Sequence, residues 1–234
     1  MDEIVSHAMF GIILSLFAFE FGLFLQKKTK LLIMNPLLIA IIVIMAFLQV
    51  LHIPLKDYQI GGDIISLFLG PATVVLAVPL YQQLANLKRY LIPIFIGICS
   101  GIITSLISTI ALCICFQLNK DMIVSLLPKS ITTPIGIEVS SQLQGIPAIT
   151  VLAILVTGII GAVLADMTFK VFRISHPIAK GISLGTGAHA IGTTKAISLG
   201  KVEAAMSSLS IGVAGLLTVC IAPYVWQLCL GFIK

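Results

Sequence analysis

Apolar residues run through this chain in long blocks, and polar residues gather at the borders. The blocks at 4–25, 31–51, 91–116, 146–169 and 204–232 are apolar almost throughout. Each is close to the roughly 20 residues that a membrane-crossing helix requires. Three further stretches break the pattern. Block 60–84 contains Gly61-Gly62, Gly70-Pro71 and Pro79. A proline inside a helix removes a donor and clashes with the preceding turn, so a break is predicted near Gly70-Pro71-Ala72-Thr73. Block 122–145 is centred on Pro128-Lys129-Ser130-Ile131-Thr132-Thr133-Pro134-Ile135-Gly136-Ile137-Glu138, which is not the composition of a lipid-facing helix. The run 181–201 carries Gly181, Gly185, Gly187, Gly192 and Gly200 together with His189, Lys195 and Lys201. Glycines at that density argue against one uninterrupted helix. Irregular backbone survives at membrane depth only where protein buries it or a wet cavity lines it. The run 181–201 is therefore a cytoplasmic loop or the lining of a site, and its interspersed apolar residues favour the site.

Composition agrees. The chain has 234 residues, 59% hydrophobic and 10% charged, with a mean hydropathy of +1.15; soluble domains carry about 25% charged residues. This predicts an integral membrane protein with one polytopic membrane domain over 1–234: two N-terminal helices in 1–58 and a repeat-containing transport core in 59–234. The first block follows an acidic Met1-Asp2-Glu3 without a basic leader region, so it reads as a span rather than a signal peptide. The net charge of +5 sits mostly in short loops, where it reports orientation and not nucleic-acid binding. The five cysteines lie inside apolar runs and read as small buried hydrophobes, with no disulfide, metal site or cofactor expected.

Orientation follows from the positive-inside rule. With the N-terminus outside, Lys27, Lys28, Lys30, Lys88 and Arg89 fall inside, and Lys56 and Lys120 fall outside. Placing Lys170, Arg173 and Lys180 inside as well requires block 122–145 to enter and leave on one side. It is then a re-entrant hairpin, and 181–201 is a matching hairpin from the cytoplasmic side. The predicted fold is an all-α integral membrane protein with about six transmembrane helices plus two re-entrant or broken segments. Gly101-Ile102-Ile103, Gly158-Ile159-Ile160 and Gly215-Leu216-Leu217 recur at a constant spacing of 57 residues, which raises an internal duplication with inverted repeats.

A broken helix presents free N–H groups at the start of its second half, and these favour an anion. Hydroxyls stand beside each break: Thr73 at the first, Ser130, Thr132 and Thr133 at the second, Thr193 and Thr194 at the third. Lys129 and Lys195 add positive charge, and His189 binds substrate, shuttles a proton or bonds a carbonyl. Together these suit a small carboxylate. In the alternative, the threonines bond back to their own helices and the lysines snorkel to the interface. Glu138, at membrane depth, either carries a coupling proton or pairs with Lys129 or Lys195. Two soluble-enzyme patterns fail. The run from Gly187 to Thr194 nearly spells a phosphate-binding loop, but Thr193 holds the required lysine position. Gly185, Gly187 and Ala190 fit a dinucleotide pattern without the βαβ unit that gives it meaning. No enzymatic activity is expected.

The stretches Leu69-Gly70-Pro71-Ala72-Thr73-Val74-Val75-Leu76-Ala77-Val78-Pro79-Leu80-Tyr81, Pro128-Lys129-Ser130-Ile131-Thr132-Thr133-Pro134-Ile135 and Gly187-Ala188-His189-Ala190-Ile191-Gly192-Thr193 resemble, in order, the three signature stretches of the LrgB/CidB family. The family usually has Ser before the histidine, where this chain has Ala188. The resemblance implies two competing functions. Some members are antiholin-like modulators of murein hydrolase export and autolysis, often acting with a small holin-like LrgA/CidA membrane partner. Others, such as the plastid glycolate/glycerate translocator, move small 2-hydroxy or 2-oxo carboxylates. The expectation is a secondary transporter of small monocarboxylates of the pyruvate, glycolate and lactate class. It would sit in the bacterial inner membrane, work by alternating access and form a homo-oligomer. The antiholin-like channel or regulatory subunit is the alternative, and a purely structural scaffold is a third reading.

Overall fold

The computed structural model describes residues 7–29, 34–68 and 90–230, with 70, 71, 74, 78, 81 and 88 singly between the last two ranges. Thr73, Pro79 and residues 231–234 lie outside the described residues. All secondary structure among the described residues is helical. The chain divides into two compact units, residues 1–72 and 73–234, where the sequence suggested a single domain with its inner boundary near 58.

The N-terminal unit holds α1 (Ala8–Thr29), α2 (Pro36–Val50) and α3 (Leu55–Ser66). The boundary moves past 58 because α3 packs backbone to backbone on α1: Gly11 faces the Tyr58 carbonyl and Gly61, and Gly61 faces the Ala8 carbonyl. Ser15 Oγ and Tyr58 Oη, 2.9 Å apart, add a polar contact to that seam. At the other end of α1, Gly22 abuts the backbone of Pro36. α2 is shorter than the block that predicts it. Asn35 caps its start, accepting from the Leu37 N–H at 2.9 Å, and Pro36 occupies its first turn, where a missing N–H costs nothing.

The second unit holds α4 (Leu91–Cys115), α5 (Lys120–Leu126), α6 (Thr133–Gln142), α7 (Pro147–Val171), α8 (Pro177–Leu199) and α9 (Lys201–Leu230). Among the described residues, α1, α4, α7 and α9 are long and apolar enough to cross a membrane. Helices α2, α4, α6 and α7 end in one motif. A non-glycine residue (His52, Gln117, Gln144, Arg173) takes a positive φ. The following N–H then returns to a carbonyl five residues back, as Ile174 does to Phe169 at 2.8 Å. This closure satisfies carbonyls that a helix end would otherwise expose.

Between α4 and α7 the chain makes a first helical hairpin, α5 and α6 joined by 127–132. Its arms lie side by side. Thr150 Oγ1, in the first turns of α7, is 2.8 Å from the Ser125 carbonyl on one arm and 2.7 Å from Ser140 Oγ on the other. The Ile146 N–H donates to Ser125 Oγ at 2.7 Å, and Ser125, Ser140 and Thr150 are all fully buried.

Between α7 and α9 the chain makes a second hairpin within α8. The helix is interrupted at His189, whose φ of 41° and ψ of −132° are not helical. The segments 177–188 and 190–199 fold back on each other, so that Gly192 faces the Leu184 carbonyl. Both arms also touch the same stretch of α9. Gly185 lies against Ser207, and Thr193 Oγ1 is 2.7 Å from Ser207 Oγ. The first arm, at 1.5 Å per residue, reaches about 18 Å, roughly half the thickness of a bilayer. The first hairpin joins the start of α7 and the second joins its end, so the two approach from opposite ends of that helix. Their tips approach the middle of α7. A Cβ on Gly136, in the first hairpin, would meet Ile154 Cδ1 at 2.5 Å, and His189 Nε2 lies 2.9 Å from the Ile154 carbonyl oxygen.

The three glycines of the 57-residue spacing each face a hairpin side chain. A Cβ would meet Thr186 Cγ2 at 2.9 Å from Gly101, His189 Cε1 at 2.7 Å from Gly158 and Ile135 Cδ1 at 2.7 Å from Gly215.

Two outcomes follow from this packing. Gly158→Ala drives a methyl into the His189 ring and should destabilise the protein by about 1–3 kcal/mol; in a His189→Ala background most of that loss should vanish, as equilibrium unfolding in detergent can measure. In a cysteine-free background, single cysteines at 121 and 144 should label from one side of the membrane and those at 173 and 200 from the other.

Candidate functional site

α4 carries two adjacent stripes. One is aliphatic: Ile94, Ile98, Ile102, Leu106 and Ile110 are buried in the core with Leu127, Ile131 and Leu209. The other is small and hydroxylated: Gly97, Ser100, Gly101, Thr104, Ser105 and Ser108, spaced three and four apart as one helix face requires. This second stripe forms one wall of a cavity of about 830 Å³. The tip of the first hairpin adds Lys129 and Ser130, and the first arm of the second hairpin adds Ile182, Ser183, Thr186 and Gly187. Each hairpin thus presents side chains to one shared space.

Lys129 is half-buried at the wall of this cavity. Its Nζ donates to Ser105 Oγ at 3.5 Å and to Ser130 Oγ at 3.4 Å, and those two hydroxyls are 2.9 Å apart. Both lysine contacts are at the outer limit of hydrogen bonding, so the ammonium donors are poorly matched. No carboxylate lines the cavity among the described residues, and the one ion pair among them is elsewhere. An ammonium in such a place has lost part of its hydration without gaining a counter-ion, a cost of several kcal/mol when burial is complete. A small anion, with the hydroxyls as further donors, restores the balance.

Two other hydroxyls show the same lack. Thr186 Oγ1 and Thr132 Oγ1 are buried without a hydrogen-bond partner, in residues 6% and 5% exposed. Thr186 lines the cavity. Thr132 precedes α6 at the capping position but its side chain makes no cap.

The remaining expected site residues lie apart from the cavity. His189, 3% exposed, has its Nε2 on the Ile154 carbonyl. Thr193 Oγ1 donates to its own helix at the His189 carbonyl, 3.1 Å, and meets Ser207. Thr194 Oγ1 returns to the Ala190 carbonyl at 3.3 Å. Lys195 forms an ion pair of 2.6 Å with Asp166, whose side chain is 56% exposed. Each of these three side chains thus has a partner within the protein. Thr133 opens α6 and Glu138 is exposed on the same helix; neither lines the cavity. Thr73 is outside the described residues. Sequence reasoning missed Ser105 and Thr186. The signal for Ser105 was present, since hydroxyls at 100, 104, 105 and 108 share one face of an otherwise apolar span.

No group of three or more His, Cys, Asp or Glu side chains capable of holding a metal occurs among the described residues. The five cysteines are free thiols.

Comparison with known proteins agrees with the motifs. The LrgB-like family matches residues 15–228. The antiholin-like protein LrgB of Bacillus cereus (strain B4264) is 40% identical over 215 residues, covering 92% of this chain and 94% of the relative. The antiholin-like protein LrgB of Bacillus anthracis (strain A0248) shows the same figures. No solved structure matches the chain. A match across nearly the full length, carried in part by the stretches that form the two hairpins, identifies the chain as a member of the LrgB-like family.

Proposed function

We propose that this protein moves a small monocarboxylate of the pyruvate, glycolate and lactate class across the bacterial inner membrane. The observation that supports this most is Lys129: an ammonium on the wall of a hydroxyl-lined cavity, without a carboxylate, at the tip of one hairpin and facing the arm of another. Hairpins approaching from opposite ends of α7 suit alternating access, in which the site faces each side in turn. A duplicated, inverted origin for the two hairpins fits the same picture.

The relatives' names favour a second reading, and they favour it more directly than they favour transport. An antiholin-like subunit would control murein hydrolase export and autolysis with a holin-like partner, and the cavity would then matter for assembly or gating. Reconstitution separates the two. Uptake of labelled pyruvate or glycolate into proteoliposomes by this chain alone supports transport. No uptake, combined with partner-dependent changes in autolysis in cells, supports the regulatory subunit.

Lys129→Met should weaken pyruvate binding at least tenfold, since a hydrogen bond to a charged group contributes about 1.5–3 kcal/mol; calorimetry on purified protein measures it. For Glu138, the proposed role is a proton carrier at the protein surface. Glu138→Gln should keep binding and lose uptake driven by a pH gradient, and uptake at the wild-type rate would remove it from the mechanism.

A further inference from the structure

Thr186 stands one turn before the tip of the second hairpin. It is 94% buried, and its Oγ1 has no hydrogen-bond partner. Buried hydroxyls are normally satisfied, and an unsatisfied one is destabilising. Threonines in membrane helices usually meet this need by bonding the carbonyl four residues back. Thr193 and Thr194 of the same hairpin do so. Thr186 does not, and its rotamer is fixed by its surroundings. Its Cγ2 occupies the notch that Gly101 leaves in α4, 2.9 Å from where a Cβ would lie. With the methyl seated there, Thr186 is among the residues that line the large cavity and also a void of about 10 Å³ lined in addition by Ser105, Ser130 and Thr218, with its Oγ1 just beneath the wall. A space of that size holds about one water-sized atom. One anion oxygen is of that size.

We propose that Thr186 is an anion-binding residue and that the ligand is held between the hairpins, by Lys129 and Ser130 on the first and by Thr186 on the second. This rests on the anion-binding reading of the cavity and goes beyond it. It makes ligand binding a bridge between two elements that approach from opposite ends of α7, and it assigns a direct contact to the second hairpin that does not come from His189, Thr193 or Thr194.

The claim has an unusual signature. A hydroxyl with a structural bond destabilises the protein when removed. One left open for a ligand does not, because taking away an unsatisfied buried group is neutral or stabilising. Pyruvate titration calorimetry and thermal melting on purified, detergent-solubilised protein test both halves. Thr186→Val should bind pyruvate about tenfold more weakly or worse and melt no lower than wild type. Thr186→Ser, which keeps the hydroxyl, should retain most of the affinity, and Thr194→Val, on the exposed side of the same hairpin, should match wild type. Wild-type affinity in Thr186→Val while Lys129→Met loses binding would overturn the role of Thr186 alone. A lower melting point for Thr186→Val at unchanged affinity would make the hydroxyl structural and overturn it equally. If neither Thr186→Val nor Lys129→Met alters binding, or wild type does not bind, the anion reading of the cavity fails and this inference fails with it.

Discussion

A helical chain that turns back inside a protein must close its turn where water cannot help. In the second hairpin this is done at His189. Its backbone sits at φ 41° and ψ −132°, a region that side chains other than glycine enter at a cost of about 1–3 kcal/mol. The imidazole holds it there through the Ile154 carbonyl, 2.9 Å away. The contact is possible only because Gly158 has no Cβ, which would lie 2.8 Å from Nε2. One strained residue, one carbonyl and one notch thus set where the first arm ends. Were the helix to continue straight, Thr193 would leave Ser207 and Lys195 would leave Asp166. Gly185 and Thr193 could not both meet Ser207.

The first hairpin solves the same problem differently. Its turn is a longer connection, 127–132, with Pro128 inside it and Pro134 in the first turn of α6, and its arms are tied by Ser125, Ser140 and Thr150 rather than by a strained residue. The longer connection leaves room for a lysine at the tip. The two solutions complement each other: the tight turn places apolar surface and a hydroxyl against the cavity, and the open turn places the charge.

What the sequence revealed and what it hid divide along a physical line. Proline, glycine and threonine inside apolar blocks announce a break, because lipid offers their backbone no partners; hence both helical hairpins were legible. Which hydroxyl faces the site was not legible. Thr186, Thr193 and Thr194 have the same chemistry within one hairpin, and only packing separates them. Thr193 and Thr194 can reach carbonyls of their own helix. Thr186 is turned away from its own by the notch at Gly101. Lys195 looked equivalent to Lys129, yet its arm returns toward the interface, where Asp166 meets it. The extent of α3 was hidden for a similar reason, since the Gly11–Gly61 seam joins residues 50 apart and leaves no local signature.

The position of Ile154 carries a further consequence. Its side chain lies against Gly136 of the first hairpin, while its carbonyl receives His189 of the second. Both hairpins therefore lean on one residue of α7, the first through its second arm and the second through its turn. Interiors at this packing density do not deform smoothly. If His189 leaves the carbonyl, the turn loses the bond that offsets its strain, and the atoms that fill the space at Gly136 lose their support as well. The arrangement of one hairpin is therefore tied to that of the other through this single residue. A cavity walled by α4 and bordered by both hairpins thus carries its cation and its unpaired hydroxyl on different elements, Lys129 on the first and Thr186 on the second.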